Sequence, residues 1–267
     1  MAPILVGTSG WDYPHWRGVF YPPGLPRSAW LSYYAGVLPT VELNATFYRL
    51  PVAGATERWR AAVPDDFVFA AKGSRYLTHL KRLLDTGPGV ARFFARIRPL
   101  GEKLGPVLWQ LPPQQRPDLP RLDAFLAALP GDLRHVVEFR SAAWYRDDVA
   151  ALLARRGAAF CEHDLVDRPI PGPTGGFRYL RFHGSGARYG GRYGRVRLRR
   201  VAADLLTARL PSFVYFNNDR DGHAARDALA LEALLHGPSA GPGRWPSWAA
   251  WQASPTRSGG GAPRASS

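Results

Sequence analysis

Three short stretches of the sequence place an acid or a base two residues from a second polar group. The pairs are Glu42 with Asn44, Glu138 with Arg140, and Arg181 with His183. Side chains alternate between the two faces of a β-strand, so within a strand both members of each pair point the same way. Carboxylates and imidazoles transfer protons, and guanidinium groups stabilise negative charge. The pairs therefore indicate acid–base chemistry on a polar or anionic substrate.

The segment of residues 183–195, which begins at His183, is rich in glycine and arginine. The wider stretch 178–200 contains eight arginines and no acid. Glycine lets backbone N–H groups approach an anion, arginine binds phosphate oxygens through two N–H groups, and tyrosine rings stack on bases. The candidate phosphate- and base-binding residues here are Arg188, Tyr189, Arg192 and Tyr193. The spacing matches neither the Walker A nor the GxGxxG motif, and a solvated loop is the alternative interpretation.

Eight β-rich runs must position these residues. They are Ile4–Ser9, Thr40–Asn44, Phe67–Lys72, Val107–Leu111, His135–Arg140, Ala158–Asp164, Phe177–His183 and Ser212–Asn217. Most are nearly continuous apolar runs, which is typical of parallel strands covered on both faces. Helices are predicted between them at Ser28–Val37, Ala53–Val63, Val90–Leu104, Leu119–Leu129, Asp147–Arg156, Leu198–Leu210 and Ala224–Leu235.

Eight strands alternating with helices predict an α/β fold of the TIM-like (β/α)8 barrel type. The connection Leu165–Gly176 contains three prolines and no helical pattern, so the helix between the sixth and seventh strands is predicted to be missing. A doubly wound open sheet is the structural alternative. We expect the barrel domain to span residues 1–236, followed by a Gly/Pro/Ser-rich, mostly disordered tail at 237–267. In that tail Trp245, Trp248 and Trp251 are expected to cap the barrel surface.

In a TIM barrel the active site lies where the strands end. The proposed catalytic residues at these ends are Glu42, Glu138, His183 and Asp219. The proposed substrate-binding residues, besides those of the arginine-rich segment, are Ser9, Trp11, Asn44, Lys72, His79, Gln110, Arg140, Arg181, Asn217 and Asn218. Nine of these side chains are expected to line one shared cavity: Glu42, Asn44, Lys72, Gln110, Glu138, Arg140, Arg181, His183 and Asn217. The alternative is a salt-linked polar layer in which Glu42, Glu138 and Arg181 only neutralise one another.

A divalent metal is a candidate cofactor, although no HExxH or CxxC motif supports it. The usable ligands near the strand ends are Glu138, His163, Asp164, His183 and Asp219. Cys161 is the single cysteine, so an internal disulfide framework is excluded, and its mid-strand position predicts a core residue. A catalytic serine at Ser9 lacks the G-x-S-x-G elbow.

The 267-residue chain carries a net charge of +14, although only three of its 35 basic residues are lysines. Such an excess favours polyanionic partners, but an arginine-rich, lysine-poor composition also arises from coding bias. No apolar run is long enough for a membrane helix, and the N-terminus lacks the pattern of a signal peptide. We therefore expect a cytoplasmic protein without a membrane partner, and the oligomeric state is left open.

Several motifs resemble those of the YecE-like family, domain of unknown function 72. They are Gly7–Tyr13, Phe20–Pro22, Val41–Pro51, Phe69–Lys72, Thr78–His79, Leu108–Pro113, Val137–Arg140, Tyr179–Gly184 and Tyr215–Asp219. They follow the order of the family and run through most of residues 4–235. The resemblance implies a TIM-like barrel and brings no established reaction.

Three functions are compatible with these residues. The first is an enzyme acting on a phosphate-containing or nucleic-acid substrate, such as a metal-assisted phosphodiesterase. There Glu138 or Asp219 would bind metal or activate water, His183 would transfer protons, and the arginines would stabilise phosphoryl charge. The second is an enzyme for a small polar metabolite, a sugar or sugar phosphate, with Glu42 and Glu138 as acid and base. The third is a non-catalytic nucleic-acid-binding protein.

Overall fold

The computed structural model describes residues 2–186 and 189–237 of the chain. Nine parallel strands form one sheet within these residues. They are β1 Ile4–Thr8, β2 Thr40–Leu43, β3 Val68–Lys72, β4 Leu104–Gln110, β5 His135–Glu138, β6 Ala159–Phe160, β7 Glu162–His163, β8 Arg178–Phe182 and β9 Ser212–Phe216. The predicted tail, apart from Gly237, lies outside the described residues, as do its tryptophans and Arg188.

The strand order is β6–β5–β4–β3–β2–β1–β9–β8–β7, so β6 and β7 stand at the two ends of the sheet. Only Cys161 separates these two strands in the chain, and its backbone N–H donates to the carbonyl of Val137 in β5 at 2.9 Å. The sixth predicted run therefore pairs first with β5 and then with β8, which brings the sheet ends together. The expected α/β barrel is confirmed as a nearly closed barrel, and the open-sheet alternative is wrong.

Helices follow most of the strands. They are α1 Trp30–Ala35, α2 Ala55–Ala61, α3 Gly87–Ile97, α4 Leu119–Ala127, α5 Asp147–Arg155, α6 Arg195–Ala208 and α7 His223–His236. No helix lies between β7 and β8, where every residue is described, as the prolines of this connection predict. The single helix expected over Val90–Leu104 is wrong, because α3 ends at Ile97 and a 3-10 turn follows in which Gly101 has φ +61°. None of the described helices is both long and apolar enough to cross a membrane.

The apolar core has two layers, as expected when both faces of a parallel sheet are covered. One layer packs between the sheet and the helices, and the other fills the barrel. The inner layer consists of Leu5, Val68, Ala70, Leu108, Val136, Ala159, Cys161, Phe177, Tyr179, Phe213 and Tyr215. Cys161 is thus a core residue, as its mid-strand position predicts. Alternation along the strands then makes the next inward side chains polar at the carboxyl ends, which places a charged layer above this filling.

Candidate active site at the barrel mouth

Arg181 on β8 is the centre of the charged layer. One terminal nitrogen donates to Glu42 on β2 at 2.7 Å, and the other donates to Glu138 on β5 at 2.6 Å. All three side chains are 0% exposed. The hydroxyl of Tyr179 also donates to Glu42, at 2.7 Å. Burial opposes ionisation of the carboxyls, yet Arg181 holds the pKa of Glu42 below its ordinary value and that of Glu138 well below it.

These ion pairs match the salt-linked polar layer that the sequence left as an alternative. Glu138 is engaged through both oxygens, because Arg140 donates to the one that Arg181 does not bind. Neither glutamate therefore has a fully free carboxylate. In the described part of the chain, no group of three or more His, Cys, Asp or Glu side chains is arranged to hold a metal ion.

His183, which directly follows β8, is contacted on both ring nitrogens. Its Nε2 lies 3.1 Å from Arg140 and 3.3 Å from Arg181, and its Nδ1 lies 3.3 Å from Asp164. Burial lowers the pKa of His183 to about 4, and Arg181 acts in the same direction while Asp164 opposes it. The ring is therefore neutral at pH 7, with Nδ1–H donating to Asp164 and Nε2 accepting from the arginines. In this state the imidazole orients Arg140 and Arg181, and its Nε2 carries no proton to give to a substrate.

Lys72, the last residue of β3, is 5% exposed. Its ammonium forms no hydrogen bond and no ion pair with the residues that the structure describes, and it lies 4.3 Å from the ring centroid of Phe47. Burial and the nearby Arg181 lower the pKa of Lys72 to about 7, although Glu138 and Glu42 oppose the shift. Lys72 is thus a buried amine that is half protonated near neutrality.

Asn44 directly follows β2, and Lys72 is the last residue of β3; these two strands pair in register from Thr40 with Val68 to Leu43 with Ala71. Its Oδ1 is buried and has no hydrogen-bond partner among the described residues. The Oγ1 of Thr46 lies 2.5 Å from the carbonyl oxygen of Leu43 and 2.6 Å from that of Lys72, which ties the two strand ends together. An amine and an amide oxygen without hydrogen-bond partners in the described residues therefore lie at the ends of two neighbouring strands.

His79 lies near the same amine. Its Nδ1 is 2.8 Å from the hydroxyl of Thr78, and its ring meets the ring of Phe47 edge-on at 5.0 Å. Burial, followed by the charges of Lys72 and Arg75, lowers the pKa of His79 to about 4. This imidazole is neutral at pH 7. Unlike His183, it forms no hydrogen bond with an arginine among the described residues.

Other predicted residues lie at the edge of this site. The hydroxyl of Ser9 is 3.5 Å from Arg181. Trp11 packs edge-on against Trp59 at 5.4 Å, in the loop after β1. Gln110 and Asn217 are half-buried at the carboxyl ends of β4 and β9. These four residues lie at the end of the barrel where the sequence placed them.

Asp219 belongs to a separate group on the rim. Its carboxylate accepts from the indole Nε1 of Trp16 at 2.6 Å and lies 3.1 Å from His15. Burial raises the pKa of Asp219 to about 6, while His15 lowers it. Within the described residues, hydrogen bonds and the ion pair join the Asp219 side chain to Trp16 and His15 and not to the network around Arg181.

The arginine-rich segment differs from its expected role. Tyr193 is 2% exposed between Phe182 and Phe216 and donates to Asp164, so the expectation that it stacks on bases is wrong. Tyr189 is 38% exposed and contacts His183 edge-on at 5.8 Å. Arg192 lies 3.5 Å from Asp227.

Asn218 is fully buried and also donates to Asp227, at 2.8 Å. Its amide therefore anchors the loop rather than facing the mouth. The stretch 178–200 contains no acid, yet several of its arginines form ion pairs with acidic residues that lie outside it in sequence. Arg178 pairs with Glu162 and Asp204, and Arg197 pairs with Asp164.

Sequence reasoning missed Tyr179 and Thr46 as contributors to the site. The signal for Tyr179 was present, because Phe177, Tyr179, Arg181 and His183 alternate along one strand and share the inward face. Thr46 gave no such signal, since its role depends on a backbone carbonyl 26 residues away in sequence.

Comparison with known proteins shows one consistent likeness. A family model described as "Protein of unknown function DUF72" matches residues 5–250. The UPF0759 protein YecE of Escherichia coli strain K12 is 34% identical over 138 residues, which is 51% of this chain and 48% of that protein. The chain thus matches about half the length of YecE. The UPF0759 protein YunF of Bacillus subtilis strain 168 is 26% identical over 87% of this chain and 94% of its own.

Solved structures give the same result. A DUF72 family protein from Thermotoga maritima MSB8 has a TM-score of 0.77 at 30% identity, covering 87% of this chain and 99% of its own. One from Enterococcus faecalis V583 has a TM-score of 0.74 at 21% identity, covering 87% and 95%, and supports the fold alone.

Proposed function

This chain belongs to the DUF72 family, whose matched members carry no activity in their names, and from its barrel mouth we propose an enzyme that acts on a small metabolite bearing a phosphate or similar anionic group. The observation that supports this proposal is Lys72, a buried amine with no hydrogen bond or ion pair in the described chain. A buried ammonium costs several kcal/mol unless a counter-charge compensates it. An anionic group of the substrate would supply that counter-charge.

The charges of the mouth support an anion rather than a cation. Arg140 and Arg181 balance Glu42 and Glu138 through direct contacts. Lys72 is then the extra positive charge of the cluster whenever it is protonated. Asn44 adds a buried acceptor that a substrate hydroxyl would satisfy.

The depth of Lys72 favours a small substrate over a nucleic acid. Only 5% of the residue is exposed, so the group that reaches it must enter the barrel. A terminal phosphate or carboxylate of a metabolite can do so, whereas the backbone of a duplex is held outside by its own bulk. The site therefore favours an enzyme for a small polar metabolite over one for a nucleic acid. Recognition of a phosphate group remains part of the proposal.

Anion binding by three variants tests the proposal. Titration calorimetry with inorganic phosphate should show at least tenfold weaker binding by Lys72→Met, because the charge facing the anion is lost. Lys72→Arg keeps the charge and should bind within a few-fold of the unmodified protein. Lys81→Met removes the same charge from a half-buried lysine outside the charged layer and should bind unchanged. Unaltered phosphate affinity in a folded Lys72→Met protein would overturn the proposal.

The pH dependence provides a second test. Sulfate keeps its charge between pH 6 and 9, whereas Lys72, whose pKa is lowered to about 7, loses its proton in that range. Sulfate affinity should therefore fall as the pH rises through 7. An affinity that stays constant to pH 9 would show that ordinary arginines bind the anion.

A nucleic-acid-binding surface is the second candidate function. Arg195, Arg199 and Arg200 on α6 are exposed and make no ion pair with any described residue. Phosphate contacts by these arginines would make binding strongly dependent on salt. Neutralising all three should reduce the slope of log K against log salt by up to about three units if each contacts one phosphate. Binding with an unchanged slope would remove this surface from consideration.

A further inference from the structure

The chain contains two lysines that are equally buried but differ in the polar partners of their amines. Lys103 is 5% exposed, and its ammonium donates to the carbonyls of Arg60 at 3.0 Å and Val63 at 2.8 Å, with Asp65 at 3.3 Å. Lys72 is also 5% exposed, and the described residues give its amine no such partner. The fold thus surrounds the amine of Lys103 with oxygen partners. It leaves the amine of Lys72, at the end of a barrel strand, without a hydrogen bond or ion pair in the described residues.

We propose that Lys72 is a nucleophile that forms a Schiff base with a carbonyl carbon of the substrate, so that the substrate class is a small aldehyde or ketone bearing a phosphate or another anionic group. This inference rests on the proposed function for the anionic group. The carbonyl requirement comes from Lys72 itself, because an unprotonated amine adds to carbonyls and needs no metal or cofactor to do so.

The protonation state of Lys72 fits this chemistry. With its pKa lowered to about 7 by burial and by Arg181, about half of the amine is unprotonated at pH 7. An ordinary lysine has a pKa near 10.4, so the nucleophilic fraction here is on the order of a thousandfold larger. Geometry and protonation therefore point to the same group.

Two residues near Lys72 can assist formation of the Schiff base through a carbinolamine intermediate. Attack of Nζ on the carbonyl carbon forms a C–N bond and turns the carbonyl oxygen into the hydroxyl of a carbinolamine. Asn44 Oδ1, on the neighbouring strand end, can accept a hydrogen bond from that hydroxyl. Loss of the hydroxyl together with the remaining proton of Nζ releases one water and leaves the imine. His79, neutral and close to Lys72, is the group that we assign to moving a proton in this step.

Reductive trapping tests the proposal on the intact protein. The protein is treated with sodium cyanoborohydride and either dihydroxyacetone phosphate or dihydroxyacetone, and labelled lysines are located by peptide mass mapping. Cyanoborohydride reduces the imine to a stable secondary amine, so each Schiff base leaves a covalent mark. Lys81 and Lys103 are the internal controls, one half-buried and one buried with partners.

Labelling at Lys72 should exceed labelling at Lys81 or Lys103 at least tenfold with dihydroxyacetone phosphate, and it should be weaker with dihydroxyacetone. Its rate should rise with pH up to about 7 and then level off, which is opposite to the expected trend for sulfate affinity. His79→Gln should slow labelling without weakening sulfate binding. Labelling of the three lysines to similar extents, or no labelling of Lys72, would overturn the Schiff-base proposal.

Lys72→Arg separates this inference from the proposed function. That variant should bind phosphate and form no adduct at position 72. If phosphate binds normally but the unmodified protein forms no adduct, the Schiff base fails while anion binding stands. If both probes label Lys72 equally and phosphate does not bind, the proposed anionic substrate fails while the nucleophile stands.

Discussion

Replacing Arg181 with methionine should cost about 3–5 kcal/mol of unfolding free energy at pH 8, because it leaves buried carboxylates without their shared counter-charge. Arg181, Glu42 and Glu138 are all 0% exposed, so water cannot replace the lost guanidinium. Glu138 keeps Arg140 as a partner, and Glu42 keeps the hydroxyl of Tyr179. The loss should therefore resemble that of one buried ion pair rather than two.

The sign of the pH dependence follows from the carboxyls. In the unmodified protein Arg181 lowers the pKa of both glutamates, so their stabilisation is present above the ordinary carboxyl pKa and is lost as the pH falls from there through the lowered pKa. In Arg181→Met, burial without the arginine raises the carboxyl pKa. The variant is then penalised increasingly as the pH rises, so its deficit should be smaller at pH 5 than at pH 8.

Urea unfolding followed by circular dichroism at both pH values measures this deficit. Arg178→Met is the matched control, because Arg178 lies on the same strand and also pairs with two acids, but one of them, Asp204, is 61% exposed. Its loss should be smaller and nearly independent of pH. Adding Glu42→Gln and Glu138→Gln to Arg181→Met should restore most of the lost stability. Equal, pH-independent losses in the two arginine variants would refute this reasoning.

Three further outcomes are expected. The thiol of Cys161, whose pKa burial raises well above its ordinary value, should not react with Ellman's reagent in the native protein and should react fully in urea; rapid native reaction would contradict its place in the core. Asn218→Ala should cost about 2 kcal/mol in urea unfolding, because Asp227 loses a buried donor; a loss below 0.5 kcal/mol, roughly the level of an ordinary surface substitution, would contradict this. Burial raises the pKa of Asp219 to about 6, so its stabilisation is complete below the ordinary carboxyl pKa and is lost as the pH rises through 6. Asp219→Asn should therefore gain roughly 1–2 kcal/mol relative to the unmodified protein between pH 5 and pH 8, and a constant difference would contradict the shift.

Most strand positions follow from the sequence because parallel strands covered on both faces require apolar runs. The prediction Ile4–Ser9, for example, differs from the observed strand by one residue. The split of the sixth run at Cys161 could not be predicted in this way. It depends on hydrogen bonds to β5 on one side and to β8 on the other, which are properties of the closed barrel and not of the run itself.

The composition of the charged layer follows from alternation within strands, whereas its pairings do not. Alternation places Glu42, Glu138 and Arg181 inward at one end of the barrel, as the sequence predicts. Which oxygen binds which nitrogen depends on strands that are 43 and 139 residues apart. The unusual position of Lys72 could not be predicted for the same reason. Its amine has no ion pair because Arg140 and Arg181 pair with both glutamates.

The most direct test of the proposed anion site is a crystal structure of the protein soaked with selenate, with the anion located by anomalous scattering of selenium. A selenate oxygen is expected within hydrogen-bonding distance of Lys72 Nζ at the barrel mouth. Selenate found only against the exposed arginines of α6, with none beside Lys72, would contradict the central claim.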